Sequence, residues 1–179
     1  NFVIRDIDVT TGDVYMNMNM VARELGDTFT VCGHNVKGWW SWSYSPRTNL
    51  LYIPINRACL SQTASLERAD GVGPRFTIPE PGRPEDAPMG EVRAIDMATG
   101  REVWRHEQRA PNVGSALATG GDLVFFGDLN RRFKAFDATT GEVVWETIVG
   151  SQISGYPITY SVDGRQYVAL PVGGIGRGR

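Results

Sequence analysis

One phrase, written twice, constrains this chain more than any other feature. Ala94-Ile95-Asp96-Met97-Ala98-Thr99-Gly100-Arg101-Glu102-Val103-Trp104 returns 41 positions later as Ala135-Phe136-Asp137-Ala138-Thr139-Thr140-Gly141-Glu142-Val143-Val144-Trp145. Ala, Asp, Thr, Gly, Val and Trp fall at the same places in both copies. A period of about 40–45 residues closed by a tryptophan is the mark of a radially repeated sheet with four strands per blade. Each residue type has a mechanical task. The aspartate accepts hydrogen bonds from its own turn two residues on, and the glycine supplies the positive φ of a tight reversal. The Val-Trp pair begins the next strand, and its indole is large enough to fill the wedge between neighbouring blades. Two unrelated hairpins would not be expected to agree at six of eleven positions.

A worn third copy opens the chain, Ile7-Asp8-Val9-Thr10-Thr11-Gly12-Asp13-Val14-Tyr15-Met16, with Met16 where Trp104 stands. Asp8 and Asp96 are 88 positions apart. That distance reads as two periods, with one intervening blade carrying the surplus as an insertion. The core of that blade is Trp42-Ser43-Tyr44-Ser45-Pro46, a corner at 47–49, and Leu50-Leu51-Tyr52-Ile53-Pro54-Ile55, which predicts strand, turn, strand. Across 61–89, Pro74, Pro79, Pro81, Pro84 and Pro88 interrupt the pattern, so this stretch is predicted to be a long Pro-rich surface loop. Further on, Leu123–Gly127 reads as a buried strand, Asp128–Arg132 as an exposed hairpin tip, and Val162-Asp163-Gly164-Arg165 as a tight hairpin turn. Met18–Glu24 is the one stretch with some helical periodicity. The expectation is therefore an all-β fold over 1–179: about three to four blades of a larger propeller, each a four-stranded antiparallel sheet. The start in mid-pattern, without an initiator Met, suggests a piece of something longer.

Composition narrows function mainly by exclusion. A formal charge of −2 with no basic run gives no electrostatic footprint for nucleic acid, and no run of 18 apolar residues predicts a membrane span. His34 and His106 are the only histidines, and neither has the partners that a zinc site needs. No phosphate loop or Gly-x-Ser-x-Gly occurs. Cys32 and Cys59 sit beside β-like runs; read from the residues alone, they are either a disulfide or two buried thiols. Trp39, Trp40 and Trp42 form either an aromatic floor for a flat ring or sugar, or packing between blades.

These motifs, in this order, resemble a pyrroloquinoline-quinone (PQQ)-dependent alcohol dehydrogenase. Cys32 through Lys37-Gly38-Trp39 to Tyr44-Ser45-Pro46, then Leu50–Pro54 to Cys59, is similar to that family's cofactor-side segment. Gly90–Trp104, Leu117–Trp145 and Pro157–Gly174 are similar to the blades that follow it. The resemblance implies the C-terminal blades of an eight-bladed propeller in a periplasmic enzyme, with a Cys32–Cys59 disulfide. It implies PQQ with a calcium or lanthanide ion, an alcohol as substrate and a cytochrome c as electron acceptor. The catalytic aspartate and the metal ligands are expected upstream of Asn1. In this chain Lys37, Gly38, Trp39, Gly173 and Gly174 are the expected cofactor-binding residues. Family members often carry Lys-Asn-Trp or Arg-Asp-Trp where Lys37-Gly38-Trp39 stands, and methanol-oxidising members carry tryptophan in place of Val113. Many also carry a tryptophan in place of Ile175. These departures imply an alcohol larger than methanol. Two other readings share features with the chain. A non-catalytic propeller scaffold of the outer-membrane-assembly type has the Asp-x-x-Thr-Gly-x-x-x-Trp phrase, and a sugar-binding propeller could use the tryptophan cluster.

Overall fold

The structure, a computed structural model, describes residues 4–32, 38, 40–66 and 72–173, the side chains of 19 and 72–75 excepted. The chain divides into two units, 1–36 with 57–87 and 37–56 with 88–179. Among the described residues all regular structure is antiparallel strand apart from one 3-10 turn, Met18–Met20, within the stretch where helix was considered. No described helix is long and apolar enough to cross a membrane.

The second unit holds the repeat. Strands β4 (Ser43–Ser45) and β5 (Leu50–Asn56) pair in order with β8 (Gly90–Asp96) and β9 (Glu102–Gln108). A second sheet follows, β10 (Leu117–Ala118), β11 (Leu123–Gly127), β12 (Arg132–Asp137) and β13 (Val143–Ile148), also in sequential order. Strands β14 (Ile158–Val162) and β15 (Arg165–Ala169) form a hairpin. Its tip residues Asp163 and Gly164 have φ of 49° and 76°, the two positive values that an Asp-Gly reversal supplies.

The two copies of the phrase pair in the same register. Trp104 lies opposite Ala94 and Trp145 opposite Ala135, and in each sheet the pairing shifts at the next residue, Ile95 or Phe136. Both turns close identically. Gly100 N–H donates to the Asp96 carbonyl at 2.7 Å, and Gly141 N–H to the Asp137 carbonyl at 2.9 Å. The Asp8 turn repeats this bond at 2.8 Å, and Gly12, Gly100 and Gly141 have φ of 81°, 69° and 75°. In all three turns an aspartate oxygen accepts the backbone N–H two residues on. Turn amides, foremost those of Thr10, Ala98 and Thr140, hold the carboxyls of Asp8, Asp96 and Asp137 below the usual range.

A core forms where the two four-stranded sheets face each other. Leu50, Tyr52, Val92, Ala94 and Trp104 come from one sheet, and Ala116, Val124, Phe126, Phe136 and Ala138 from the other or its flanks. The period-2 alternation of β5 supplies its share, with Leu50, Tyr52 and Pro54 inward. The Ala138 carbonyl joins the sheets by accepting both Tyr52 Oη–H and Trp104 Nε1–H at 3.0 Å.

The first unit departs from expectation. Strand β3 (Thr28–Cys32) pairs with β6 (Ala58–Ala64), and β6 with β7 (Val72–Pro79), while β1 (Ile4–Ile7) and β2 (Val14–Met16) form a separate hairpin. The predicted loop at 61–89 is thus corrected: 58–64 and 72–79 are strands. Proline is tolerated because β7 is an edge strand of this sheet. Pro79 ends it, and Pro74 falls where the pairing is irregular, between the Gln62–Arg75 and Ala64–Val72 pairs. The spacing of Asp8 and Asp96 needs the same correction. No further four-stranded sheet lies between them among the described residues. The surplus goes into β3 and into the excursion 57–87, inserted between β5 and β8.

Cys32 and Cys59 are direct partners in the β3–β6 register and are bonded, with Cα atoms 4.4 Å apart. Closing this span restricts the unfolded chain by about 3–4 kcal/mol in the loop-entropy description. Replacing both cysteines by serine is expected to lower the urea midpoint of this unit by a corresponding amount. An unchanged midpoint would show that β3–β6 pairing does not depend on the bond.

Candidate cofactor-binding site

Of the five residues expected at the cofactor, Lys37, Trp39 and Gly174 lie outside the described residues. Gly38 and Gly173 are described, and both belong to the second unit. A Cβ on Gly38 would lie 2.3 Å from the Trp40 ring, so the missing side chain at 38 and the seat of Trp40 go together. Trp40 is buried and donates Nε1–H to the Pro54 carbonyl at 2.9 Å. It therefore takes the packing role that was one of the two readings of the cluster. Trp42 is half-exposed.

Gly173 carries its backbone bonds inward. Its N–H donates to the Gln152 carbonyl at 2.9 Å, and its own carbonyl accepts Ser154 Oγ–H at 2.7 Å. Among the described residues the space at its α-carbon is open: a Cβ there would meet none of them within 4 Å. A chain of hydrogen bonds links this loop to the tryptophan segment. The Ser115 N–H donates to the Gly155 carbonyl at 3.2 Å, Ser115 Oγ accepts the Ser41 N–H at 2.7 Å, and Ala116 N–H reaches the Ser41 carbonyl. The structure thus gathers the segment after Gly38, the 112–116 loop with half-buried Val113, and the 150–155 loop beside Gly173 into one loop cluster. Ser115 was not singled out from the sequence. A serine 74 residues from its partner gives no local signal.

The cluster is braced by a buried amide pair. Asn56 Nδ2–H donates to the Asn112 carbonyl at 2.6 Å while Asn112 N–H donates back to Asn56 Oδ1 at 2.5 Å. Asn112 Nδ2 also serves the Ile55 and Glu91 carbonyls, at 3.1 and 2.7 Å. Sequence reading passed over both asparagines.

A second polar group lies nearby in the same unit. Lys134 Nζ is 3.2 Å from His106 Nε2 and donates to Gln108 Oε1 at 3.0 Å. Asp128 is buried rather than at an exposed tip, correcting that expectation for this residue; Asn130 and Arg131 are exposed as expected. Burial pushes the Asp128 carboxyl up, opposed by the Arg132 N–H and the Lys134 charge. Burial, reinforced by the Lys134 charge, lowers the His106 pKa; Glu146 opposes this. The unfolded chain therefore binds the His106 proton more readily. The stability tied to this group is present above about pH 6.5, the unfolded value, and is lost as pH falls through it toward the folded value. Melting temperature is expected to fall more between pH 7.5 and 5.5 in the parent than in His106→Gln. Parallel profiles would dissociate His106 from acid sensitivity.

Residues 105–168 match the family described as PQQ: glucose/ethanol/alcohol dehydrogenase, beta-propeller domain. The chain is 40% identical over 141 residues to the quinoprotein alcohol dehydrogenase PedH of Pseudomonas putida, covering 76% of this chain and 23% of that protein. It is 36% identical over 146 residues to the 1-butanol dehydrogenase (cytochrome c) of Thauera butanivorans, covering 75% and 21%. The chain belongs to the PQQ-dependent quinoprotein dehydrogenase family. Among solved structures of this family it is similar to a europium-containing methanol dehydrogenase, with a TM-score of 0.67 and 25% identity, over 94% of this chain and 31% of that one. The quinohemoprotein alcohol dehydrogenase of Comamonas testosteroni gives 0.63 and 26%, over 96% and 27%. The four-stranded sheets are accordingly blades of a quinoprotein propeller. The chain spans between a fifth and a quarter of the length of the curated relatives described here.

Proposed function

We propose that this chain supplies blades beside the cofactor of a PQQ-dependent dehydrogenase that oxidises an alcohol to an aldehyde or ketone and passes electrons to a cytochrome c. The observation that carries the reading is the paired blade hairpin, in register at Trp104 and Trp145, within a segment whose relatives are quinoprotein dehydrogenases. The relatives, and not the hairpin phrase that the scaffold type shares, favour the enzyme over the outer-membrane scaffold reading. Three relatives are named with cytochrome c, and one structural neighbour is named for its europium, which supports a metal ion, calcium or a lanthanide. The Cys32–Cys59 bond suits an oxidising compartment such as the periplasm.

The fit to a cofactor rests on the α-carbon of Gly173, where a flat group can approach the backbone without meeting any described side chain. Lys37, Gly38, Trp39, Gly173 and Gly174 would line one side of it. When bound, PQQ supplies the two-electron acceptor and the metal ion a Lewis acid. With its N–H committed to Gln152, Gly173 would contribute shape, leaving polar contacts to Lys37 and to groups outside this segment. Among the described residues, no cluster of three histidines, cysteines or carboxylates is placed to hold a metal. Val113 in place of tryptophan favours an alcohol larger than methanol.

The test is reconstitution of the full-length protein with PQQ and calcium or lanthanum, followed by alcohol-dependent reduction of a dye acceptor. Turnover with a higher kcat/KM for 1-butanol than for methanol is expected, and Gly174→Val should weaken PQQ affinity. A protein that neither binds PQQ nor oxidises any alcohol would return the scaffold reading to first place.

A further inference from the structure

We propose that Lys134 is a carbonyl-reactive amine, which condenses with small aldehydes to an imine in a cleft of about 290 Å³ between the 108–110 stretch and the end of the β11–β12 hairpin. Lys134 is one of only two lysines in a chain with sixteen arginines. The distinction matters because arginine stays protonated in proteins, whereas a buried lysine can surrender its proton and become a nucleophile. Lys134 is 7% exposed, yet it lines the cleft beside Gln108, Asn130 and Glu146. Two neighbours orient its Nζ, His106 Nε2 at 3.2 Å and Gln108 Oε1 at 3.0 Å, while Glu146 Oε2 stands at 3.8 Å.

The arrangement provides a base as well as a nucleophile. His106 is half-buried against the edge of Phe136, and its lowered pKa keeps it neutral near pH 7, able to take a proton at Nε2. Burial also lowers the Lys134 pKa, with Asp128 and Glu146 opposing and Arg132 assisting, which enlarges the fraction of free amine. In the reaction Nζ adds to the carbonyl carbon, and one of its protons passes by way of His106 Nε2 to the carbonyl oxygen, giving a carbinolamine. The second Nζ proton follows the same path to that hydroxyl, which leaves as water. One carbon–nitrogen double bond replaces one carbon–oxygen double bond, and no electrons are exchanged. A purely structural lysine bridging two blades would use a neutral histidine as its acceptor, but it would not need the cleft beside it. The reaction needs no PQQ, so it stands apart from the alcohol-oxidising reading.

The experiment treats the intact protein with propanal and cyanoborohydride at pH 7.5 and follows N-propylation by peptide mass spectrometry. Lys37 and the terminal amine serve as internal references. Lys134 is expected to be labelled several-fold faster than Lys37, because burial lowers its pKa and enlarges its fraction of free amine. His106→Gln should slow that labelling while leaving the fold and the Lys37 rate unchanged. Labelling of Lys134 no faster than Lys37, or fast only in urea concentrations that unfold the sheets, would overturn the proposal.

Discussion

Trp104→Ala is expected to destabilise the second unit by about 3–5 kcal/mol, whereas Trp145→Ala in the same chain should cost about 1 kcal/mol or less. The two residues are equivalent in sequence and in register, so the difference isolates what one blade gains from its neighbour. Trp104 is 8% exposed and Trp145 48%. The Trp104 ring lies 5.7 Å from Tyr52 and 6.2 Å from Phe136, and its Nε1–H reaches the Ala138 carbonyl. A Cβ on Gly141 would stand 2.5 Å from the indole, so the glycine of one turn also forms the seat for the tryptophan of the preceding blade. Trp145 instead borders an apolar cavity of about 490 Å³ with Phe125, Phe133, Val168 and Leu170. Denaturant titration of the two variants tests this directly. Equal losses would mean that the indoles act within their own sheets and not across the junction.

The Trp104 contacts also explain which parts of the fold were legible. The Asp-x-x-Thr-Gly turn is written locally: its aspartate bonds amides two and three residues away, so six matching letters suffice to identify it. The strand from Leu50 and the Asp163-Gly164 hairpin were legible for the same reason. Strand β7 was hidden because the tolerance of Pro74 and Pro79 depends on its being an edge strand, a property of pairing with β6 and not of its own letters. The Cys32–Cys59 bond was anticipated through the family resemblance; its cross-strand register was not visible. In the candidate site, the sequence marked Gly38 and Gly173 but not Ser115 or Gly155, which tie their surroundings together across 40 to 74 residues. Trp40 could be read two ways until its indole was placed over Gly38 and against Pro54.

Asn112 is the other position where a single change should be severe, and its two substitutions are expected to separate by pH. The side chain is fully buried. Nδ2 donates to the carbonyls of Ile55 and Glu91, while Oδ1 accepts Gln108 Nε2–H at 2.7 Å. Asn112→Ala strands two carbonyls and the bond to Gln108; at about 1–3 kcal/mol per unsatisfied buried group, a loss of about 3–5 kcal/mol is expected. Asn112→Asp preserves the volume but puts a second carboxylate oxygen against two carbonyl oxygens, where repulsion and desolvation both disfavour the charge. At neutral pH it should cost at least as much as alanine. Its folded-state pKa must then lie above the unfolded value near 3.9, so the folded form binds the proton more tightly. The deficit relative to the parent should therefore shrink as pH falls from 7 toward 4, since a protonated carboxyl can donate to one of the two carbonyls. The alanine variant has no titrating group at this position and should not recover. The measurement is the difference in melting temperature from the parent at each pH. A constant difference for Asn112→Asp across that window would mean that the carboxylate escapes to water and that the amide pair does not enforce the burial seen here.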